Sequence, residues 1–245
     1  MSSKNQLPFC YFCKKSKAMK KYILIAITCL SAILATSRAQ ANPDFDAWFS
    51  DRTMRVDYFH TGTATEEHFS VDRILNDGAW AGSRTILIDD LNRGLYFFEV
   101  TDAETGEALY SRGFASIFGE WQTIPEAKEQ WGTFHESVRF PWPLRPVELT
   151  IKKRDAMNHF QDVWTTTIDP QSRIVNPAEF VSPYSSVSLF ENGDPHDHVD
   201  VVILGDGYAE GEMEKFRTDA ERLSAELFMV EPFKSRKSDF NVRIV

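Results

Sequence analysis

Few residues of this 245-residue chain are arranged to carry chemistry, and most lack the partners that the chemistry needs. The string His135-Glu136-Ser137-Val138-Arg139 is close to the H-E-x-x-H zinc motif. In that motif two histidines on one helical face hold the metal, and the glutamate acts as general base. Here Arg139 stands where the second histidine belongs, and the string lies in a segment with strand-like patterning. It therefore predicts no metal site.

A second candidate is the pair His196 and His198, which lies among Asp194, Asp197 and Asp200. In an extended segment, residues two apart point to the same side, so both rings could approach one metal ion. A pair of ligands alone leaves the coordination shell incomplete. We interpret this segment as a polar connection that leads into a strand. No residue of this chain is assigned as a metal ligand.

The glycines Gly205, Gly207 and Gly211 follow an apolar run and precede a helical pattern, which imitates a dinucleotide-binding fingerprint. Glu210 and Glu212 would lie where the pyrophosphate has to bind, and like charge there is unfavourable. The alternative is that the glycines permit a tight turn from strand to helix. We favour the turn.

Asp206 and Tyr208 lie in the same turn, at the strand end where open α/β folds bind ligands. They could line a substrate cleft, or they could fix the turn by ordinary Asp and Gly turn chemistry. They are the two substrate-cleft candidates of this chain. No catalytic residue is assigned, because residues 42–245 contain neither a G-x-S-x-G elbow nor a cysteine. His60, His68 and His159 are isolated in the sequence and are interpreted as packed or surface groups.

Residues 1–41 have the three parts of a secretory signal peptide. A lysine-rich start without acidic residues leads into the apolar stretch Ile23 to Leu34 and then to Ala39-Gln40-Ala41. A membrane-spanning helix needs about 20 apolar residues, so an uncleaved anchor is the weaker alternative. Met19 directly precedes two lysines and is a candidate for the true start. We predict an exported protein, located in the periplasm, at the cell surface or outside the cell, without a membrane anchor after cleavage.

Loss of this leader changes the chemistry of the remaining chain. The leader holds seven basic side chains, so the formal charge falls from −9 to −16. A surface this acidic repels phosphate backbones, which excludes nucleic acid as a predicted partner. All three cysteines also leave with the leader, including Cys10 and Cys13, whose C-x-x-C spacing has no second pair.

Two segments with different patterns follow the leader. Residues 46–170 read as short strands separated by turn residues, with a strong turn signal at Asn76-Asp77-Gly78. This spacing predicts an all-β, antiparallel sandwich of immunoglobulin-like size. The predicted strands cover residues 55–60, 68–75, 95–100, 108–112, 146–152 and 162–168.

After a connection rich in Pro, Ser and Asn, the pattern becomes that of an α/β unit. Val199 to Leu204 is an apolar run, as expected of a strand covered on both faces, and Phe240 to Val245 alternates like a second strand. Between them, apolar residues recur at helical spacing and predict one buried helix face. That face consists of Met213, Phe216, Ala220, Leu223 and Leu227.

We therefore expect a signal peptide (1–41), a β-sandwich domain (42–180), a linker (181–198) and an incomplete β-α-β unit (199–245). The unit is called incomplete because its sheet edge and apolar faces have nothing to cover them. The natural protein is accordingly expected to be longer than these residues.

Four gapless stretches carry a family resemblance: residues 80–100, 110–123, 133–143 and 199–245. They resemble the N-terminal domain and the start of the catalytic domain of the IgA-peptidase-type zinc metallopeptidases, metallopeptidase family sixty-four. The resemblance implies a secreted zinc endopeptidase that acts on protein or peptide substrates. It also implies zinc in the full-length protein, held by an H-E-x-x-H helix beyond this chain. The chain departs from the family at Ala209, where members tend to have threonine at the start of the helix.

Two functions remain open from the sequence. The first is the N-terminal portion of such an endopeptidase. The alternative is an exported, non-enzymatic β-sandwich module whose exposed aromatic residues bind a glycan or a protein surface. The family name alone does not identify immunoglobulin as the substrate.

Overall fold

The structure is a computed structural model that describes residues 42–245. The predicted signal peptide, the start at Met19 and the Cys10–Cys13 pair lie outside the described residues. In the part of the chain that is described, no helix is both long enough and apolar enough to cross a bilayer.

The described residues form eleven strands and three α-helices, numbered here in chain order. The strands are β1 (Phe49–Gly62), β2 (Glu67–Ala79), β3 (Tyr96–Asp102), β4 (Ala108–Phe114), β5 (Gly132–Pro143), β6 (Val147–Arg154), β7 (Phe160–Ile168), β8 (Val175–Glu179), β9 (Val187–Phe190), β10 (Val199–Ile203) and β11 (Phe240–Ile244). The helices are α1 (Phe45–Trp48), α2 (Ile117–Trp121) and α3 (Met213–Leu227), and short 3-10 turns cover Pro125–Lys128, Glu210–Glu212 and Lys237–Asp239.

The first eight strands form two four-stranded sheets around one hydrophobic core. The first sheet has the order β5-β1-β2-β8 and the second the order β4-β3-β6-β7. Both contribute to the same buried cluster, for example Val56 and Phe140 from the first and Phe98 and Leu149 from the second. Along β3 and β6 every second residue is buried, which is the period-two pattern that predicted these strands. The chain is mainly β, as predicted.

One pairing differs from the predicted antiparallel arrangement, because β8 runs parallel to β2. Hairpins set neighbouring strands antiparallel, but β8 is not reached by a hairpin from β2. It follows β7, which belongs to the other sheet, and a short crossing over residues 169–174 brings it to the edge of the first sheet. The direction of β8 therefore depends on that crossing, and strand periodicity carries no information about it.

The predicted turn at Asn76-Asp77-Gly78 is wrong, since all three residues belong to β2. Asn76 and Ala79 both pair with β1, and the pairing shows a register shift between them. Gly78 has a φ of +93°, so the irregularity is a β-bulge that glycine tolerates. The buried Asn76 accepts from the Gly78 amide at 3.1 Å, and its own amide donates to the Pro177 carbonyl at 3.2 Å. Cross-strand pairing thus overrides the local turn preference.

The third sheet has the order β10-β11-β9. Strands β10 and β11 are parallel, and α3 lies between them in sequence. The segment predicted as a linker contains β9, which pairs antiparallel with β11. Leu189 packs against the small core of this sheet, and the Phe190 ring contacts Phe228 at 5.2 Å between centroids. The segment was predicted to be a linker because it is rich in Pro, Ser and Asn, and its few apolar residues did not change that prediction.

The buried stripe of α3 is narrower than predicted. Phe216, Ala220 and Ser224 are buried, as is Phe228 just beyond the helix. Three of the five predicted face residues are exposed instead: Met213 (43%), Leu223 (53%) and Leu227 (41%). The three-stranded sheet covers only the middle of the broad apolar face of α3. The apolar residues at the edges of that face therefore stay exposed in the described residues.

Candidate functional site

The two predicted cleft residues lie in the loop between β10 and α3. Asp206 is exposed, and Tyr208 is half-buried with its ring against Phe216 at 5.1 Å between centroids. The Tyr208 hydroxyl donates to Asp219 Oδ2 at 3.0 Å, and this hydrogen bond raises the pKa of the tyrosine. These contacts tie the turn to the second turn of α3. A role in a substrate cleft stays a prediction.

The 3-10 turn Glu210–Glu212, which leads into α3, is capped at its start by a carboxylate. The Glu212 carboxylate accepts from the Ala209 amide at 3.0 Å, and the Glu212 amide donates to the Ala209 carbonyl at 2.8 Å. Glu212 thus satisfies one amide at the position where the family's threonine is missing. A carboxylate at this place also disfavours phosphate, which argues against the dinucleotide interpretation.

Replacing Tyr208 with phenylalanine is expected to leave the fold intact and to lower the thermal unfolding midpoint only slightly. The lost contact is a single, part-buried hydrogen bond to Asp219, and the net contribution of such a bond to stability is modest. The Phe216 contact is apolar and is retained by the new ring. Differential scanning calorimetry of both proteins measures the change. A large loss of stability would show that the hydroxyl matters beyond this bond.

The pair His196 and His198 is held by two different sets of partners. His196 Nδ1 lies 3.0 Å from the Gly82 carbonyl oxygen, and its Nε2 lies 3.3 Å from Asp51 Oδ1. His198 Nδ1 lies 2.9 Å from the carbonyl oxygen of Asp194. The first ring therefore fastens this segment to the β1–β2 region, and the second closes a local turn.

The H-E-x-x-H-like string lies in β5, where neighbouring side chains point to opposite faces. His135 points outward, with Nε2 3.1 Å from Asp72 Oδ2. Glu136 points inward and hydrogen-bonds His60 and Ser116. The two side chains cannot serve one zinc ion in the manner of the motif.

One group of possible ligand atoms does lie close together on the outer face of the first sheet, formed by Asp57, Asp72 and His135. Asp57, however, is already paired with Arg55 at 2.9 Å and with Arg73 at 2.8 Å. Burial opposes ionisation of Asp57, but these two guanidinium groups outweigh it and lower the pKa of its carboxyl. A divalent cation here would meet two positive charges, so we assign no metal to this group.

A connected polar group lies between the two large sheets in the described residues, and sequence reasoning missed it. At its centre His60 is fully buried in β1. Its Nδ1 lies 3.2 Å from Glu136 Oε2 and its Nε2 lies 3.1 Å from Glu67 Oε2. The ring is stacked between Phe69 and Phe118, with centroid distances of 4.0 and 3.9 Å.

Glu67 joins this histidine to the second sheet. The Tyr96 hydroxyl and the Lys153 ammonium each donate to it at 2.8 Å, to Oε2 and Oε1 respectively. Burial opposes ionisation of Glu67, but the hydrogen bonds from His60, Lys153 and Tyr96 outweigh burial and lower its pKa to about 2. Burial and the neighbouring carboxylate raise the pKa of Tyr96 far above its ordinary value. Glu67 is therefore a carboxylate and Tyr96 a neutral donor at neutral pH.

Glu136 joins the same histidine to α2. Ser116 Oγ donates to Glu136 Oε1 at 2.6 Å, the Phe118 amide donates to the same atom at 3.2 Å, and the Tyr58 hydroxyl donates to Oε2 at 3.2 Å. Burial opposes ionisation, but hydrogen bonds from His60, Ser116 and the Phe118 amide keep the pKa of Glu136 below its ordinary value. The inner face of the first sheet is thus tied to the segment that follows β4.

The order Ser116, His60, Glu67 has the composition of a Ser-His-acid triad, but its geometry does not fit nucleophilic catalysis. Ser116 Oγ is 3.5 Å from His60 Nδ1, whereas it donates to Glu136 at 2.6 Å. The same oxygen accepts from the Gly119 amide as the N-cap of α2. The serine proton is therefore directed away from the histidine, and two phenylalanine rings cover the imidazole. We interpret the group as stabilising.

The sequence does carry a signal for this group. His60 continues the inward-facing series that contains Val56 and Tyr58, and Glu136 precedes Val138 and Phe140 in the same way. Polar residues in step with buried apolar residues have to find partners within the core. This alternation could have indicated that His60 and Glu136 both face the core, although not that they meet.

The tryptophans of the described residues do not form a binding platform of the kind that the glycan alternative requires. All six tryptophans belong to the described residues, and only Trp131 is exposed, at 54%. Its ring stacks on His68 with centroids 5.7 Å apart. Trp80 and Trp142 belong to the core. The abundance of aromatic residues in this chain therefore mainly reflects core packing.

Comparison with known protein families gave two matches, which follow one another along the chain. A family model described as peptidase M64 N-terminus matches residues 44–165, and one described as IgA peptidase M64 matches residues 187–245. Comparison with curated proteins gave no significant match. The two family matches together cover most of residues 42–245.

Proposed function

The chain belongs to the peptidase M64 family, and from this premise we propose that it is the N-terminal portion of an exported zinc-dependent endopeptidase. The substrates would be proteins or peptides, whose peptide bonds the enzyme hydrolyses. The observation that carries this proposal is the pair of family matches in order, with the N-terminal model followed directly by the peptidase model.

The two matches support a division of labour within the chain. The first match ends at residue 165, within β7, and the second begins at residue 187, the first residue of β9. Residues 42–180 would form an accessory immunoglobulin-like sandwich, and the third sheet with α3 would begin the catalytic α/β domain. Because β9 pairs with β11, the catalytic part would start near residue 187, ahead of the boundary at 199 expected from composition.

The zinc site itself would lie in polypeptide other than these 245 residues, because no H-E-x-x-H string occurs in the sequence. Zinc in such a site polarises the scissile carbonyl and lowers the pKa of a bound water. Uncovered apolar side chains support the presence of further polypeptide. Val202 and Leu204, in and just after β10, are 56% and 66% exposed, and Leu223 and Leu227 are exposed on α3. Apolar surface of this kind marks a contact region.

Export rests on the signal-peptide pattern of residues 1–41. The expected result is a mature protein that begins at Asn42, as measured by N-terminal sequencing of the protein from the producing cell. A mature chain that still begins at Met1 or Met19 would contradict export by this route.

The sequence encoded after Val245 gives a direct test of the enzymatic proposal. We expect an in-frame continuation that contains one H-E-x-x-H string within a helical pattern. A continuation without such a string would remove the zinc endopeptidase proposal, although membership of the family would stand.

A further inference from the structure

His60 has an arrangement that restricts its protonation state. A neutral imidazole carries one N–H donor and one bare nitrogen, which can only accept. Both ring nitrogens of His60 face carboxylate oxygens, at 3.2 Å to Glu136 and 3.1 Å to Glu67. A bare nitrogen would set its lone pair against a carboxylate oxygen in a buried place, where such repulsion is strong. Both contacts are favourable only if both nitrogens carry a proton.

We propose that His60 is an imidazolium cation in the folded protein, protonated on both ring nitrogens, and that it fastens the two large sheets and α2 together. This inference does not depend on the peptidase proposal, since it concerns the internal stability of residues 42–180.

The charges around the ring balance only with this proton in place. The groups that face it are the Tyr58 hydroxyl from β1, Glu67 from β2, Tyr96 from β3, Glu136 from β5 and Lys153 from β6 through Glu67. Two carboxylates then meet two cations, an imidazolium and an ammonium. With a neutral ring, two partly buried carboxylates would share one ammonium, which is costly.

Protonation of Glu67 or Glu136, with a neutral His60, is a less favourable arrangement. Glu67 already accepts from Tyr96 and Lys153, and Glu136 already accepts from Ser116 and the Phe118 amide. Groups that accept so many hydrogen bonds are stabilised in the ionised form. The proton therefore belongs to the imidazole.

The surroundings of the ring also favour a cation. Phe69 and Phe118 stack on its two faces at 4.0 and 3.9 Å between centroids, and aromatic faces attract positive charge. Phe118 belongs to α2, a helix of five residues whose N-cap Ser116 is bonded to Glu136. Loss of the His60 proton would weaken both the stacking of Phe118 on the ring and the attachment of Ser116 through Glu136. The α2 helix is therefore the element that depends most on this charge.

Nitrogen NMR of the histidine side chains in the purified chain tests the proposal directly. At about pH 8 an ordinary histidine is neutral, with one protonated and one bare nitrogen. His60, recognised by through-space contacts to the ring protons of Phe69 and Phe118, is expected to show two protonated nitrogens. A neutral pattern for His60 at this pH would overturn the proposal, and this measurement needs no variant.

The variant His60→Gln provides a second readout, with His135→Gln as the matched control. His135 is exposed and contacts one carboxylate, so its replacement should change the unfolding midpoint little. His60→Gln should lower the midpoint by roughly 10 °C at neutral pH, because glutamine cannot supply the positive charge that the two carboxylates face. If both variants unfold alike, the proposal fails. If His60→Gln does not fold, the native NMR spectrum decides.

Discussion

Replacing Glu136 with glutamine is expected to lower the free energy of unfolding by about 3 kcal/mol. The amide retains an oxygen for Ser116 and the Phe118 amide, but it places an NH₂ group toward His60 or Tyr58, which both donate to the native carboxylate. The change removes the charge of Glu136 and leaves the buried His60 ring facing an uncharged amide, which breaks the ion pair proposed above. Removing one partner of an ion pair in the protein interior destabilises the fold more than replacing both partners with apolar residues of similar volume.

Chemical denaturation at neutral pH measures this effect, and Glu148→Gln is the matched control. Glu148 is exposed on β6, so the same change of charge there should alter stability by no more than about 0.5 kcal/mol. Equal stabilities for the two variants would show that the buried group contributes little to the folded state.

Acid is expected to remove roughly 2 kcal/mol of stability through Glu67, less than the pKa shift alone would give, because the side chain keeps some contact with solvent. The pKa of Glu67 is lowered from 4.5 to about 2 by hydrogen bonds that outweigh burial. A group with a lowered pKa stabilises the fold above its unfolded-state value. That stabilisation is lost as the pH falls from about 4.5 toward 2.

The variant Glu67→Gln separates this contribution from that of other carboxyls, such as Glu136, whose pKa is also lowered. The difference in unfolding free energy between wild type and variant should be largest near neutral pH and should shrink progressively below about pH 4.5. Urea unfolding at a series of pH values gives both curves. A difference that stays constant down to the lowest pH would contradict the role assigned to the Glu67 charge.

Regular alternation made much of the fold predictable from sequence. The inward residues of β3 and β6, such as Phe98 and Leu149, alternate with less buried positions, and both strands were predicted within two residues of their ends. The α3 helix was predicted correctly because its apolar spacing is clear and Pro232 prevents its continuation. In these elements the local pattern and the tertiary packing agree.

The failures share a physical cause, which is that distant partners decided the outcome. The Asn76-Asp77-Gly78 string has strong turn chemistry, yet pairing with β1 holds it in a strand as a bulge. The direction of β8 depends on a crossing between sheets. The exposure of Leu223 and Leu227 depends on how much sheet lies beneath α3. None of these features is encoded in the spacing of neighbouring residues.

The polar group around His60 illustrates the same limit for function. His60 and Glu136 are 76 positions apart and were considered separately, one as an isolated histidine and the other as part of a failed zinc motif. Only the register of β1 with β5 brings them together. The family assignment, in contrast, was reachable from sequence, because long stretches carry it. The cleft role of Asp206 and Tyr208 stays a prediction.

Zinc-dependent peptide hydrolysis by the protein, expressed with the sequence that continues after Val245, tests the central claim most directly. The account predicts that hydrolysis of a protein substrate is abolished by a zinc chelator and restored by added zinc, since the metal supplies the activated water. Hydrolysis that persists unchanged after the zinc has been removed and verified absent would contradict a zinc endopeptidase, and so would a zinc-loaded protein that cleaves no peptide bond.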